Sequence, residues 1–147
     1  MASRRTILVA EDDSNDAFIF QHAYSQASLN HILRFVDDGE LAINYLQRKP
    51  PYTDRRNFPP PDLLVLDLKM PRMDGFDVLN WLRFRPEWGG LPVVVFSGSN
   101  LDEDRDRALH LGARAFYLKP IFAAQMQSTI VEMCNNWLRE GVFSHAA

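Results

Sequence analysis

Short apolar runs alternate along this chain with longer segments whose apolar positions recur at helical spacing. Thr6-Ile7-Leu8-Val9-Ala10 is the first such run, and a strand is predicted over Arg5–Ala10. Ser14 to Ala27 reads as a helix capped by Ser14, with Asp16 in its first turn, where a carboxylate meets the positive end of the helix dipole. A short strand over Ile32–Val36 leads to a helix over Glu40–Lys49, in which Leu41, Ala42, Tyr45 and Leu46 share a face. The third strand is the continuous run after Asp62 and ends at Asp67. Unbroken Leu and Val of this kind mark a strand buried on both faces.

Beyond the breaker-rich turn Met73-Asp74-Gly75, Phe76–Phe84 supplies a helix stopped by Pro86 and Gly89-Gly90. Pro92 introduces Val93-Val94-Val95-Phe96, a β-branched and aromatic run suited to a central strand. Asp102–Leu111 is a polar helix with Gly112 as its C′ residue, and Ala113–Leu118 is a fifth strand broken by Lys119-Pro120. The last helix is predicted over Ala123–Arg139, with Met126, Ile130, Cys134, Trp137 and Leu138 on one face. Five strand–helix units in succession imply an α/β fold: a parallel sheet, right-handed crossovers and helices on both sides.

A chain of 147 residues, 46% hydrophobic and 24% charged, suits one domain over 1–147 with its core over about 5–139 and no output domain after the last helix. The net charge of −3 speaks against attraction to nucleic acid or an anionic membrane surface. The apolar run after Arg4 and Arg5 is too short for a signal-peptide core, and no run approaches a membrane span, so a cytoplasmic protein is expected. Cys134, the only cysteine, lies among apolar residues and reads as a buried helical thiol. The proline-rich connection Pro50–Pro61 is long enough to meet a partner or to run as an extended surface loop.

Where the strands end, the chemistry begins. Glu11 and Asp12 follow the first strand, Asp67 closes the third, Ser97 the fourth and Lys119 the fifth, all on the edge where open α/β sheets place ligands. Acids that converge this closely cannot all ionise without a cation, and Mg²⁺ fits because it accepts one or two carboxylates and leaves room for phosphate oxygens. No histidine, cysteine or activated nucleophile pair stands at these strand ends, which disfavours a proton relay. The set suits phosphoryl transfer: Asp67 as nucleophile, Lys119 as a mobile point charge and the Ser97 hydroxyl as a donor to phosphoryl oxygen. His22, His31, His110 and His145 have no metal-ligand spacing. Asp13 reads as a helix-start acid, and Asp102-Glu103-Asp104-Arg105-Asp106-Arg107 as a solvated face or a partner surface.

Four segments taken together, Val9-Ala10-Glu11-Asp12-Asp13, Leu66-Asp67-Leu68-Lys69-Met70-Pro71 with Met73-Asp74-Gly75, Val95-Phe96-Ser97-Gly98-Ser99 and Leu118-Lys119-Pro120, resemble the receiver domain of two-component response regulators. The resemblance runs from about Arg5 to Trp137. It implies a doubly wound, flavodoxin-like (βα)5 fold with strand order 2-1-3-4-5. It also implies that Asp67 is the phosphoacceptor, that Glu11, Asp12, Asp67 and the Lys69 main-chain carbonyl bind Mg²⁺, and that Lys119 completes the site. Ser97 matches the switch hydroxyl and Phe116 the aromatic switch, here without the phenolic hydroxyl of a tyrosine. Lys69 and Ser99 match the positions that modulate attack by water; neither suits orienting a water, so slow unassisted dephosphorylation is expected. Lys119-Pro120 is expected to be cis.

The family further implies a sensor histidine kinase or a histidine phosphotransfer protein as partner, and its members often pair through their last helices, which allows a homodimer. The proline-rich insertion and the Trp137-Leu138 ending are similar to response regulators that pair with bacteriophytochrome-type sensor kinases. Two other classes stay open at this point. A Mg²⁺-dependent aspartyl-phosphate hydrolase would want a second acid two residues after the nucleophile, where Lys69 stands, and a non-phosphorylated binding module would be expected to lack Asp67 or Lys119.

Overall fold

The structure is a computed structural model, and it describes residues 4–138. Its strands are β1 (Thr6–Ala10), β2 (Ile32–Val36), β3 (Leu63–Leu66), β4 (Val93–Ser97) and β5 (Ala115–Leu118). The helices between and after them are α1 (Ser14–Gln26), α2 (Gly39–Leu46), α3 (Gly75–Arg83), α4 (Asp102–His110) and α5 (Ala123–Trp137), with a 3-10 turn at Pro86–Trp88. All strands are parallel, in the order β2-β1-β3-β4-β5. The doubly wound five-stranded α/β architecture expected from the residues is the one observed. The predicted end of the last helix at Arg139 lies outside the described residues, as do Gly141–Ala147 and His145.

Neighbouring residues of one strand point to opposite sides, and each side has its own core. Leu8, Leu64, Leu66, Val93 and Val95 pack toward α2, α3 and α4. Ile7, Val9, Leu63, Val65, Val94 and Phe96 pack toward α1 and α5, against Phe20, Ala23, Met126, Ile130 and Met133. Fully burying one such aliphatic side chain contributes about 1.5–3 kcal/mol, so the two layers outweigh the weak propensity of short strands. Cys134 is buried in the second layer, and burial pushes its thiol up to about 12, which leaves no reactive thiolate near neutral pH.

Helix ends depart from the sequence reading in two places. Asp13, not Ser14, caps α1: its Oδ1 accepts from the Asn15 and Asp16 amides at 2.8 and 3.0 Å. The helix predicted from Glu40 starts at Gly39 and is capped by Asp38. A carboxylate and a hydroxyl cap equally well, so the choice falls to whichever side chain the incoming chain presents. Gly112 ends α4 with φ +113°, as expected of a C′ residue.

The proline-rich connection does not run as an extended surface loop but folds back onto α2. Tyr45, Tyr52 and Phe58 form a ring cluster with centroids 5.1–6.0 Å apart. The Tyr45 hydroxyl donates to the Pro59 carbonyl at 2.7 Å, and Arg34 Nε on β2 donates to the Asn57 carbonyl at 2.7 Å. The cis peptide among the described residues is Pro50–Pro51; the expected cis Lys119–Pro120 bond is not cis.

Candidate functional site

Register delivers the acids to one place. The Asp67 amide donates to the Ala10 carbonyl at 3.1 Å and the Glu11 amide to the Val36 carbonyl at 3.0 Å, so β1, β2 and β3 end level. The Lys119 amide donates to the Ser97 carbonyl at 2.8 Å and aligns β4 with β5 in the same way. Glu11, Asp12 and Asp67 each offer a carboxylate oxygen, and these atoms lie within 4.8 Å of one another. Glu11 and Asp67 are buried; Asp12 is exposed. Among the described residues this is the one group of three or more potential metal ligands, and no histidine belongs to it.

Lys119 reaches back over the cluster. Its Nζ lies 2.8 Å from Asp67 Oδ2, 2.5 Å from Glu11 Oε1 and 2.9 Å from Asp16 Oδ2, one carboxylate for each of its three protons. Burial alone would lower the Lys119 ammonium, but hydrogen bonds to Asp67, Glu11 and Asp16 outweigh it and raise the group above its ordinary value. The lysine is therefore charged at every working pH. Glu11 shows the opposite balance: burial raises its carboxyl to about 7, opposed by the Lys119 hydrogen bond and reinforced by the Asp67 charge. A cavity of about 20 Å³, room for one water, separates these groups from an apolar floor that includes Val9, Phe20, Phe96 and Met126.

The turn after Asp67 is tight. Asp67 Oδ1 accepts from the Leu68 amide at 2.7 Å, and the Gly75 amide donates to the Leu68 carbonyl at 2.9 Å. A Cβ at Gly75 would lie 2.4 Å from the Asp67 carbonyl oxygen, closer than any side chain tolerates. Ser97 is buried at the end of β4, where its Oγ accepts from the Ser99 amide at 3.2 Å. Ser99 Oγ in turn donates to Asp104 Oδ2 at 2.6 Å.

Phe116 is half-buried on β5 and lines a surface hollow of about 200 Å³ with Leu101, Asp102, Arg105 and Leu118. The structure thus brings Glu11, Asp12, Asp67 and Lys119 together, while Ser97 ends β4 buried, Ser99 and Phe116 line the separate hollow, and Lys69 is exposed on the turn after Asp67. Asp16 is the residue that sequence reasoning missed. Its place in the first turn of α1 suggests only the helix dipole, and its Oδ2 instead turns onto Lys119 at the sheet edge.

Three carboxylates with one shared centre and a lysine at its rim suit a hard divalent ion and an incoming phosphoryl group. Asp12, exposed and with no hydrogen bond or ion pair among the described residues, keeps its oxygens for such an ion. Among the described residues no helix is long and apolar enough to cross a membrane.

Comparison with known proteins agrees with this arrangement. The family model of the response regulator receiver domain matches residues 7–131. Response regulator Rcp1 of Synechocystis is 30% identical over 78% of this chain and 76% of its own length. The probable methanogenesis regulatory protein FilR2 of Methanothrix harundinacea is 27% identical over 90% of this chain and 83% of its own. Among solved structures, response regulator RPA3017, in red light signalling of R. palustris, superposes with a TM-score of 0.89 at 32% identity, covering 97% of this chain and 99% of that one. The phosphorylated cyanobacterial phytochrome response regulator RcpA does so at 0.85 and 28% identity, covering 96% and 99%. With strand order, site and family model in accord, the chain belongs to the response regulator receiver domain family.

Proposed function

We propose that the protein accepts a phosphoryl group on Asp67 from a phosphohistidine and signals through the change in partner binding that follows. The observation that carries this reading is the Lys119 ammonium 2.8 Å from Asp67 Oδ2 inside a three-carboxylate cluster. Glu11, Asp12 and Asp67 would hold Mg²⁺ with the Lys69 carbonyl, to which no protein donor is bonded among the described residues. When bound, the ion neutralises carboxylate charge and draws phosphoryl oxygens into line. An Asp67 oxygen attacks phosphorus as the phosphorus–nitrogen bond of the donor breaks, with its electron pair returning to the imidazole. Lys119 then pairs with the charge on the transferred group and the buried Ser97 hydroxyl donates to it, with Phe116 as the aromatic that responds. Lys69 and Ser99 border the site without a carboxamide or acid to orient water, which favours a long-lived acyl phosphate.

A Mn²⁺-bound form is known for Rcp1, and this supports a divalent ion at the carboxylate cluster of this chain. The receiver-domain family match, together with the likeness to the phytochrome response regulator RcpA and to solved bacteriophytochrome response regulators, supports a sensor histidine kinase of the bacteriophytochrome type as donor and a chain that works as a receiver rather than as a turnover enzyme. Acetyl phosphate with Mg²⁺, followed by intact-mass measurement, tests the reading. A phosphate adduct that disappears in Asp67→Asn and in EDTA is expected. Rapid release of inorganic phosphate without an adduct would point to the hydrolase, and neither product to a binding module.

A further inference from the structure

The turn between Asp67 and Gly75 is gripped from outside the site. Its middle is tied to the start of α2, 34 residues earlier in the chain. Asp38 is completely buried. Its Oδ1 accepts from the Leu41 amide at 2.8 Å, and its Oδ2 accepts from Arg72 Nε at 2.9 Å and from Arg72 Nη2. One residue on, the Gly39 amide donates to the Met73 carbonyl at 3.0 Å, and a Cβ on Gly39 would lie 2.3 Å from that oxygen. Arg72 itself takes φ +65°, a left-handed conformation that costs a non-glycine residue and persists where the surroundings over-determine it.

Capping α2 needs one oxygen of Asp38, and Oδ1 supplies it. The second oxygen, the guanidinium fork and the Gly39–Met73 bond all act on the turn that carries Lys69. We propose that Asp38 and Arg72 are positioning residues for the divalent ion: they clamp the 67–75 turn so that the Lys69 carbonyl stays at the spacing the ion requires. The proposal rests on the metal site proposed above. Mg²⁺ demands near-ideal octahedral geometry, so a ligand borne on a turn contributes only while the turn is held still. Groups that orient a metal ligand without touching the ion typically change affinity about 10- to 100-fold when removed.

Calorimetric titration of the metal-free protein with Mg²⁺ tests the clamp. Arg72→Ala should raise the Kd about tenfold. The sign is diagnostic, because charge alone predicts tighter binding when a cation near an anionic cluster is removed. Asp38→Asn keeps the capping oxygen and loses the ion pair, so it should weaken Mg²⁺ by a similar factor. Arg72 Nε also lies 3.7 Å from Glu40 Oε2, which Asp38→Asn leaves in place, so the double variant should be no worse than Arg72→Ala alone. A Kd for Arg72→Ala within twofold of the parent, or tighter, overturns the proposal even if Tm falls, because a fall in Tm alone identifies a purely structural tie. If Arg72→Ala does not fold, Arg72→Gln, which keeps much of the side chain's length but removes the charged fork, carries the same test: weakened binding supports the clamp and parental binding overturns it. A parent that does not bind Mg²⁺, or binds it equally well as Asp67→Asn, would sink the metal site itself. A binding parent with an indifferent Arg72 sinks only the clamp.

Discussion

Glu11→Gln should stabilise the metal-free protein above neutral pH while it weakens the ion site. Burial raises the Glu11 carboxyl from its ordinary 4.5 to about 7 in the folded state, against the Lys119 hydrogen bond. A carboxyl with a folded pKa above its unfolded one holds its proton more tightly when folded. Its contribution to stability is complete below about pH 4.5 and is lost as pH rises through about 7. At 1.36 kcal/mol per pH unit the full loss is about 3 kcal/mol. Glutamine never ionises and escapes it, but gives up the Glu11 Oε2 acceptor that the Asp13 amide reaches at 3.1 Å, which costs about 1 kcal/mol. The variant should therefore be about 2 kcal/mol more stable than the parent at pH 8 and slightly less stable at pH 5. For a chain of this length the gain corresponds to a Tm increase of about 4–8 °C. Urea unfolding at pH 5, 6, 7 and 8 in EDTA measures the difference, and added Mg²⁺ should restore the parent at pH 8 more than the variant. A parent–variant difference that stays flat across that window, or a variant less stable than the parent at pH 8, would refute the reasoning.

Lys119→Met leaves Glu11, Asp16 and Asp67 without their shared cation. Stability in EDTA should drop by about 3 kcal/mol, and the thermal shift produced by Mg²⁺ should exceed that of the parent; equal shifts would count against a cation in competition with the ion. Gly75→Ala puts a methyl against the Asp67 carbonyl oxygen and the Leu68 Cα, neither of which can move aside cheaply. A loss of about 3 kcal/mol is expected from denaturant melts, and a loss under about 1 kcal/mol would mean the turn has slack. Tyr45→Phe removes the 2.7 Å bond to the Pro59 carbonyl but keeps the ring cluster, so about 1 kcal/mol should be lost with faster proteolysis at residues 50–61. Unchanged stability and cleavage would show that the rings alone hold the connection.

Much of this protein is legible before folding. Strand and helix periods, the breakers at Met73-Asp74-Gly75 and Lys119-Pro120, and polar residues at the ends of apolar runs are all local, so one pass along the chain recovers five βα units and the acids at their edge. Parallel strands joined by right-handed crossovers then leave few ways to arrange them, and Glu11, Asp12, Asp67 and Lys119 meet as a consequence. What tertiary structure alone decided are the contacts between side chains far apart in sequence. Asp16 turns onto Lys119, 103 residues away; Arg72 reaches the buried Asp38; and the proline-rich connection closes over Tyr45. Each depends on helix rotation, strand stagger and rotamer, which no local pattern encodes. Register acts on the strands in the same way: a slip of one residue in β5 would turn its side chains to the opposite face and carry Lys119 away from the carboxylates.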